Sequence, residues 1–266
     1  MGDATIAFST LMKGLTRDGQ VFRAEVHEGW LQGRTLYGGL LAAYCLQCAS
    51  AAFPDIPPLR SAQFAFVGPS SKEIALQPTI LRRGRSTIFV GVDLDGDEGL
   101  SARATLCYGA PRQASRSTVP VAAPNVAPPT NSEPFPLAIP GLNFPRNFDR
   151  RSAGGHAPFT KSNDMTTSTW LKHLDDDAPD TTVSLVALAD AALPAAMAFF
   201  DSYKPLNTMT WSLDVLTDRI ENETGWWLVE VRAESLRDGY SSQTMTVWNA
   251  QREAVLCCRQ HVAVFA

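Results

Sequence analysis

The chain has 266 residues, 45% of them hydrophobic and 19% charged. That is enough apolar material for a packed core, which excludes a chain disordered throughout. The net charge of -4 excludes a dedicated nucleic-acid binder, which presents a basic domain or stripe. Five cysteines, at 45, 48, 107, 257 and 258, form no even framework, so a disulfide-stapled secreted domain is not expected.

At about 100–200 residues per domain, the length fits one large domain or two ordinary ones. The first residues, Met1-Gly2-Asp3-Ala4-Thr5-Ile6, lack the basic and apolar regions of a secretory leader, and Ile6 breaks the myristoylation pattern. The cytoplasm is therefore the expected compartment. A short strand is predicted over 21–26, followed by a long apolar helix over 36–53. Both that helix and a second apolar stretch, 183–200, approach the lower length limit of a membrane span. Each is interrupted by polar residues or proline and followed by strand-like segments. Both read as buried helices of a globular domain, and no stable membrane insertion is expected.

Four strands follow the first helix, over 61–67, 73–81, 86–94 and 100–108, bounded by Gly, Pro or charged turns. Ten of the eighteen prolines fall between 111 and 158, which precludes a regular helix or central strand there. This segment reads as a crossing linker whose second half docks through Phe135, Phe144 and Phe148. Its arginines, Arg146, Arg150 and Arg151, read as solvated charge.

After the linker the order repeats. A short strand is expected over 165–171, then the helix over 183–200. Strands follow over 208–216, 226–235, 241–249 and 255–265. Leu81-Arg82-Arg83-Gly84-Arg85-Ser86 also matches Leu236-Arg237-Asp238-Gly239-Tyr240-Ser241. In both, glycine is expected to supply the positive φ of a tight turn. The chain thus divides into a first repeat over 1–110, a linker over 111–160 and a second repeat over 161–266.

Asp190 is the sole ionisable residue within 183–200. A carboxylate in an apolar helix is costly unless paired, and burial drives its pKa towards neutrality, which suits a general base. Pro194 removes the N–H that the Asp190 carbonyl would use, so a kink is expected there. A second reading stands beside this one: a surface acid near the start of a short helix beginning at Leu193. Tyr37-Gly38-Gly39 opens the first helix and offers backbone N–H groups at its positive end, suited to an oxyanion.

Other chemistries lack their signatures. Cys45 and Cys48 have C-x-x-C spacing but no second pair, so they read as buried thiols. His27, His156, His173 and His261 form no metal pattern, and no G-x-S-x-G, G-x-G-x-x-G or P-loop is present. No metal and no cofactor is expected.

Two apolar helices, each enclosed by an antiparallel sheet in one chain, resemble the double hotdog fold, of α+β class, with one continuous sheet. The motifs are similar to those of the acyl-CoA thioesterase II (TesB-like) family and its thioesterase-like relatives. They are Leu36-Tyr37-Gly38-Gly39-Leu40-Leu41, Ala65-Phe66-Val67-Gly68-Pro69, Leu188-Ala189-Asp190-Ala191 with Pro194, Asn207-Thr208-Met209-Thr210-Trp211-Ser212, and Ala254-Val255-Leu256-Cys257-Cys258-Arg259-Gln260. The resemblance spans about 22–265.

It implies an acyl-CoA substrate hydrolysed by water that an Asp, a Thr and a Gln of the second repeat hold. These fall on Asp190, Thr208 (with Thr210 as second choice) and Gln260. Gly38 and Gly39 would polarise the thioester carbonyl, and Arg82, Arg83 or Arg85 would meet the CoA phosphates. The first repeat offers Gly39 or Leu40, Ser61, and Ala102 or Ala104 at roughly matching places, so one site per chain is expected. Ala191 stands where some relatives carry His, which places this chain nearer the divergent branch. A non-catalytic acyl-CoA-binding module is the alternative, and a hotdog enoyl-CoA hydratase a weaker one, because neither helix carries His. Assembly into a homo-oligomer of double-hotdog protomers is optional.

Overall fold

The computed structural model describes residues 5–135 and 138–265. Residues 1–4, which carry most of the leader reading, and Pro136 lie outside the described residues. In chain order the elements are α1 (Phe8–Lys13), β1 (Thr16–Asp18), β2 (Val21–Glu25), the small hairpin β3 (Leu31–Gln32) and β4 (Thr35–Leu36), α2 (Gly38–Ala52), β5 (Leu59–Phe66), β6 (Glu73–Arg83), β7 (Thr87–Gly96) and β8 (Gly99–Gly109). The second part comprises β9 (Phe148–Gly155), β10 (Thr166–His173), α3 (Thr182–Ala189), β11 (Leu206–Val215), β12 (Trp227–Arg237), β13 (Tyr240–Trp248) and β14 (Ala254–Val264).

Twelve strands form one antiparallel sheet in the order β1-β2-β6-β7-β8-β5-β11-β14-β13-β12-β10-β9. Read outward from its middle, the sheet is the same on both sides: β5-β8-β7-β6-β2 on one, β11-β14-β13-β12-β10 on the other. The halves join where β5 pairs with β11, Trp211 lying opposite Phe64 and Leu213 opposite Ala62. This is the double hotdog, with two repeats sharing one continuous sheet.

Alternation dictates which face of each strand turns inward. In β7, Ile88, Val90, Val92 and Leu94 are buried; in β14, Leu256, Cys258, Gln260 and Val262 are. The inward faces close over α2 and α3. Helix α2 has no polar side: Leu40, Leu41, Tyr44, Cys45, Leu46 and Cys48 are all buried. Burying each large side chain contributes about 1.5–3 kcal/mol, so packing rather than propensity holds this helix. The two helices lie side by side and antiparallel. The Tyr37 hydroxyl, at the N-terminus of α2, donates to the Ala187 carbonyl near the C-terminus of α3 at 2.8 Å. No described helix is long and apolar enough to cross a membrane.

Four expectations are corrected. The second apolar stretch is not one kinked helix. α3 ends at Ala189, and a separate 3-10 turn covers Ala195–Phe199 with Pro194 as its N-cap. Gly239 does take a positive φ of 78° beside Asp238 at 53°, a two-residue hairpin turn between β12 and β13. Gly84 does not; there a Cβ would lie 3.1 Å from the Thr87 carbonyl oxygen, so close approach selects glycine. The linker segment contributes β9, which is free of proline and sits at the sheet edge, the position that best tolerates an irregular approach.

Its arginines are not all solvated either. Arg146 is exposed, but Arg150 is 4% exposed on the inner face of β9. Arg151 lies over the Trp226 ring at 5.0 Å. Phe144 and Phe148 dock in the core as expected, and Phe144 stacks on Tyr37 at 4.1 Å. Cys45 and Cys48 are buried free thiols.

Candidate active site

Asp190 is the C-cap of α3, with φ -67° and ψ -11°. The helix stops there because Pro194 can supply no N–H to the next turn. The carboxylate therefore leaves the end of α3 and meets the start of α2. It faces the negative end of one helix and the positive end of the other. The reading of Asp190 as a surface acid near a helix start is not the one found.

Burial pushes the Asp190 carboxyl up to about 6; the Gln260 side chain and the Gly39 backbone N–H, both hydrogen-bonding to it, pull in the opposite direction. Gln260 Nε2 donates to Asp190 Oδ1 at 2.7 Å. Oδ2 lies against Gly38, where a Cβ would come within 3.1 Å of it and within 3.5 Å of the Phe66 ring. Tyr203 lines both of the spaces that Asp190 lines, and Arg34 lines the larger. The titratable groups whose pKa values feel the Asp190 charge are Tyr37 and Cys258. Burial raises both pKa values, and the Asp190 charge adds to the rise. Both stay protonated through the neutral range.

Thr208 reaches the site through an irregularity. The pairing of β11 with β14 shifts between Thr208 and Thr210, a bulge that adds one residue. Trp211 and Thr208, three apart, thereby share the inner side, while Thr210 is exposed. Thr208, Asp190 and Gln260 line one small cavity of about 50 Å³ with Leu142, Leu193 and Met197. Asp190 and Thr208 also line an adjoining mouth of about 630 Å³, with Gly38, Phe66 and the exposed Arg34. No histidine is among the residues lining either space.

The structure thus brings together Asp190, Thr208, Gln260, Gly38 and Gly39. The Gly39 backbone N–H acts on the carboxylate charge. Arg82, Arg83 and Arg85 do not join them. They are exposed, and Arg83 pairs at 2.9 Å with Asp55, just past the C-terminus of α2. That is the far end of a helix about 22 Å long. Trp30 and Tyr44 are wholly core and line neither space. Counting nine residues from each helix N-cap, Thr181 and Tyr37, the first-repeat partner of Asp190 is Leu46, not Gly39 or Leu40.

Two residues escaped the sequence reading. Arg34 had no motif around it. Gln243 had one detectable signal: it occupies the inward register of β13 with Met245 and Val247. It is 1% exposed and stands directly opposite Gln260. Gln243 Nε2 donates to Gln260 Oε1 at 2.6 Å, and the Ala195 N–H donates to Gln243 Oε1 at 3.2 Å.

The fold and this carboxylate-amide-hydroxyl cluster define a double hotdog protein with one polar site between its two helices. Residues 26–109 match the acyl-CoA thioesterase N-terminal domain and residues 121–264 the acyl-CoA thioesterase C-terminal domain. The chain belongs to the acyl-CoA thioesterase family.

Solved structures agree on the fold. A conserved hot dog protein of unknown function from Alicyclobacillus acidocaldarius aligns with TM-score 0.86 at 24% identity, covering 99% of each chain. The tesB protein of Mycobacterium avium subs paratuberculosis aligns with TM-score 0.80 at 17% identity, covering 97% of this chain and 98% of its own. An acyl-CoA thioesterase II from Mycobacterium marinum aligns with TM-score 0.74 at 16% identity over 95% and 96%. No curated protein matches the chain.

Proposed function

We propose that the chain hydrolyses acyl-CoA thioesters to a free acid and CoA by direct attack of water. The observation that carries this reading is the Asp190 carboxylate. It is held by Gln260 and Gly39, shares a cavity with Thr208, and titrates near 6. A base of that pKa is ionised at neutral pH yet still accepts a proton usefully.

Gln260 bonds Oδ1, and Oδ2, an oxygen with two lone pairs, is the atom assigned to accept the proton from water. Thr208 orients that water through its hydroxyl, a positioning contribution. As the water oxygen bonds to the thioester carbon, the carbonyl oxygen becomes negative. The Gly38 N–H at the start of α2 offsets that charge. The tetrahedral intermediate then collapses, the C–S bond breaks, and the thiolate takes up a proton. No covalent enzyme intermediate is required.

The cavity of about 50 Å³ has room for the attacking water beside Asp190, Thr208 and Gln260, and the mouth of about 630 Å³ is the space that would take the acyl-CoA. Arg34, exposed on the rim of the mouth, is the cation this reading assigns to the CoA phosphates. The absence of histidine from the lining of either space weighs against the hydratase reading, whose proton transfers at carbon use that residue. The test is a hydrolysis screen across acyl-CoA chain lengths with Asp190→Asn beside it. Turnover that needs Asp190 supports the reading. Tight acyl-CoA binding with no turnover in the wild type would favour the binding module instead.

A further inference from the structure

A terminal amide can present either its oxygen or its nitrogen to a neighbour. If Gln260 presented its oxygen to Asp190, two acceptors would face each other and the ionised carboxylate would lose its partner. Nothing in Gln260 itself prevents this, because its other neighbour, Gln243, is also an amide. The ambiguity ends one step further on. Gln243 meets the backbone N–H of Ala195, which can only donate.

That N–H is free for a specific reason. Ala195 opens the 3-10 turn behind Pro194, and the turn has no side-chain cap. An uncapped helix start leaves its first N–H groups needing acceptors. The Ala195 N–H fixes Gln243 with its oxygen inward and its nitrogen towards Gln260. Gln260 must then turn its oxygen to Gln243 and its nitrogen to Asp190. The relay leaves the chain at Ala195 and returns to it at Asp190, five residues earlier. The break at Pro194 thus frees both the carboxylate and the donor that orients its partner.

We infer that Gln243 is a positioning residue for the reaction: it sets which end of the Gln260 amide faces Asp190. Gln243 lines neither the cavity nor the mouth, so it acts only through its two partners, Gln260 and the Ala195 backbone. The kinetic part of this inference rests on the water-attack reading above; the hydrogen-bond part does not.

The decisive variant is Gln243→Met, of similar length and without donors or acceptors. Without its partner, Gln260 is free to turn, and Asp190 loses a stabilising donor in a share of molecules. The titratable and charged groups near the carboxylate, Tyr37, Cys258, Tyr203 and Arg34, are untouched. The Asp190 carboxyl pKa, read by carbon-13 NMR and assigned with Asp190→Asn, is expected to rise by about half to one unit. The acid limb of kcat/KM should rise with it, and kcat should fall roughly tenfold while KM changes less than about twofold. A purely structural role would lower the melting temperature and leave the carboxyl pKa in place, and an unchanged pKa overturns the inference.

Should Gln243→Met fail to fold, Gln243→Glu keeps the test open. Its protonated carboxyl preserves both hydrogen bonds; its ionised form cannot donate to Gln260. Activity near wild type at acidic pH, with an added loss as the introduced carboxyl ionises, supports the relay. A profile parallel to wild type overturns it. Full turnover in Asp190→Asn would end the water-attack reading, while the carboxyl pKa in the Gln243 variants would still decide the relay.

Discussion

Asp190 carries opposing demands, and its pKa records the balance. Enclosure disfavours its charge, whereas Gln260 and Gly39 favour it, and the result is a carboxyl near 6. The acid limb of kcat/KM is accordingly expected near pH 6, measured with a good acyl-CoA. Asp190→Asn should reduce kcat by about 10²–10⁴, the range of a lost general base. The same residue costs stability. Its folded pKa lies above the ordinary value of 3.8, so the folded state holds the proton more tightly. Stability therefore falls as pH rises from about 4 to about 6. Asp190→Asn should melt higher than wild type at pH 8, by up to about 3 kcal/mol of stability, and should nearly match it at pH 4. Melting curves at the two pH values check the sign. Arg34→Ala tests the rim. It should raise KM severalfold for acyl-CoA with kcat little changed, and an unchanged KM would remove Arg34 from the CoA site.

At the scale of elements, the site depends on where two helices end. Helix α2 starts with glycine because the Asp190 carboxylate and the Phe66 ring crowd its first residue. Helix α3 stops at Asp190 because of Pro194. The opposite end of α3 is closed by a capping box between Thr181 and Ser184, far from the chemistry. Thr181→Ala should therefore cost about 1 kcal/mol of stability and leave kcat and KM unaltered. Thermal melts beside steady-state kinetics separate the two effects. Much at this scale was legible from the sequence. Strand alternation placed all eight long strands of the two repeats within a few residues, and the coincidence of Asp190 with Pro194 marked the site. What failed was local. A run of apolar residues has the same composition in one helix or in a helix and a turn, so 183–200 read as continuous. Arg150 lies in a polar, proline-rich setting, and only the fold shows that β9 turns it inward.

At the scale of the molecule, neither repeat is complete. Helix α2 packs on α3, Tyr37 of the first repeat bonds to Ala187 of the second, and β5 pairs with β11. A fragment covering 1–110 should lack stable tertiary structure alone and gain it when mixed with 111–266. Near-ultraviolet circular dichroism of the separate and mixed fragments checks this.

The sequence alone determined the duplicated architecture, because periodicity and repeat order are one-dimensional. It also singled out Asp190, because a lone carboxylate among apolar residues is a local anomaly. Together with the family resemblance it indicated Thr208 and Gln260. Only the tertiary structure decided which residues surround that carboxylate. Gln243 faces Gln260 through strand register. Thr208 turns inward through a bulge. Arg34 comes to the rim through the β3–β4 hairpin, while Arg82, Arg83 and Arg85 are carried to the far end of α2. Each of these depends on contacts between residues distant in sequence, which local pattern does not encode.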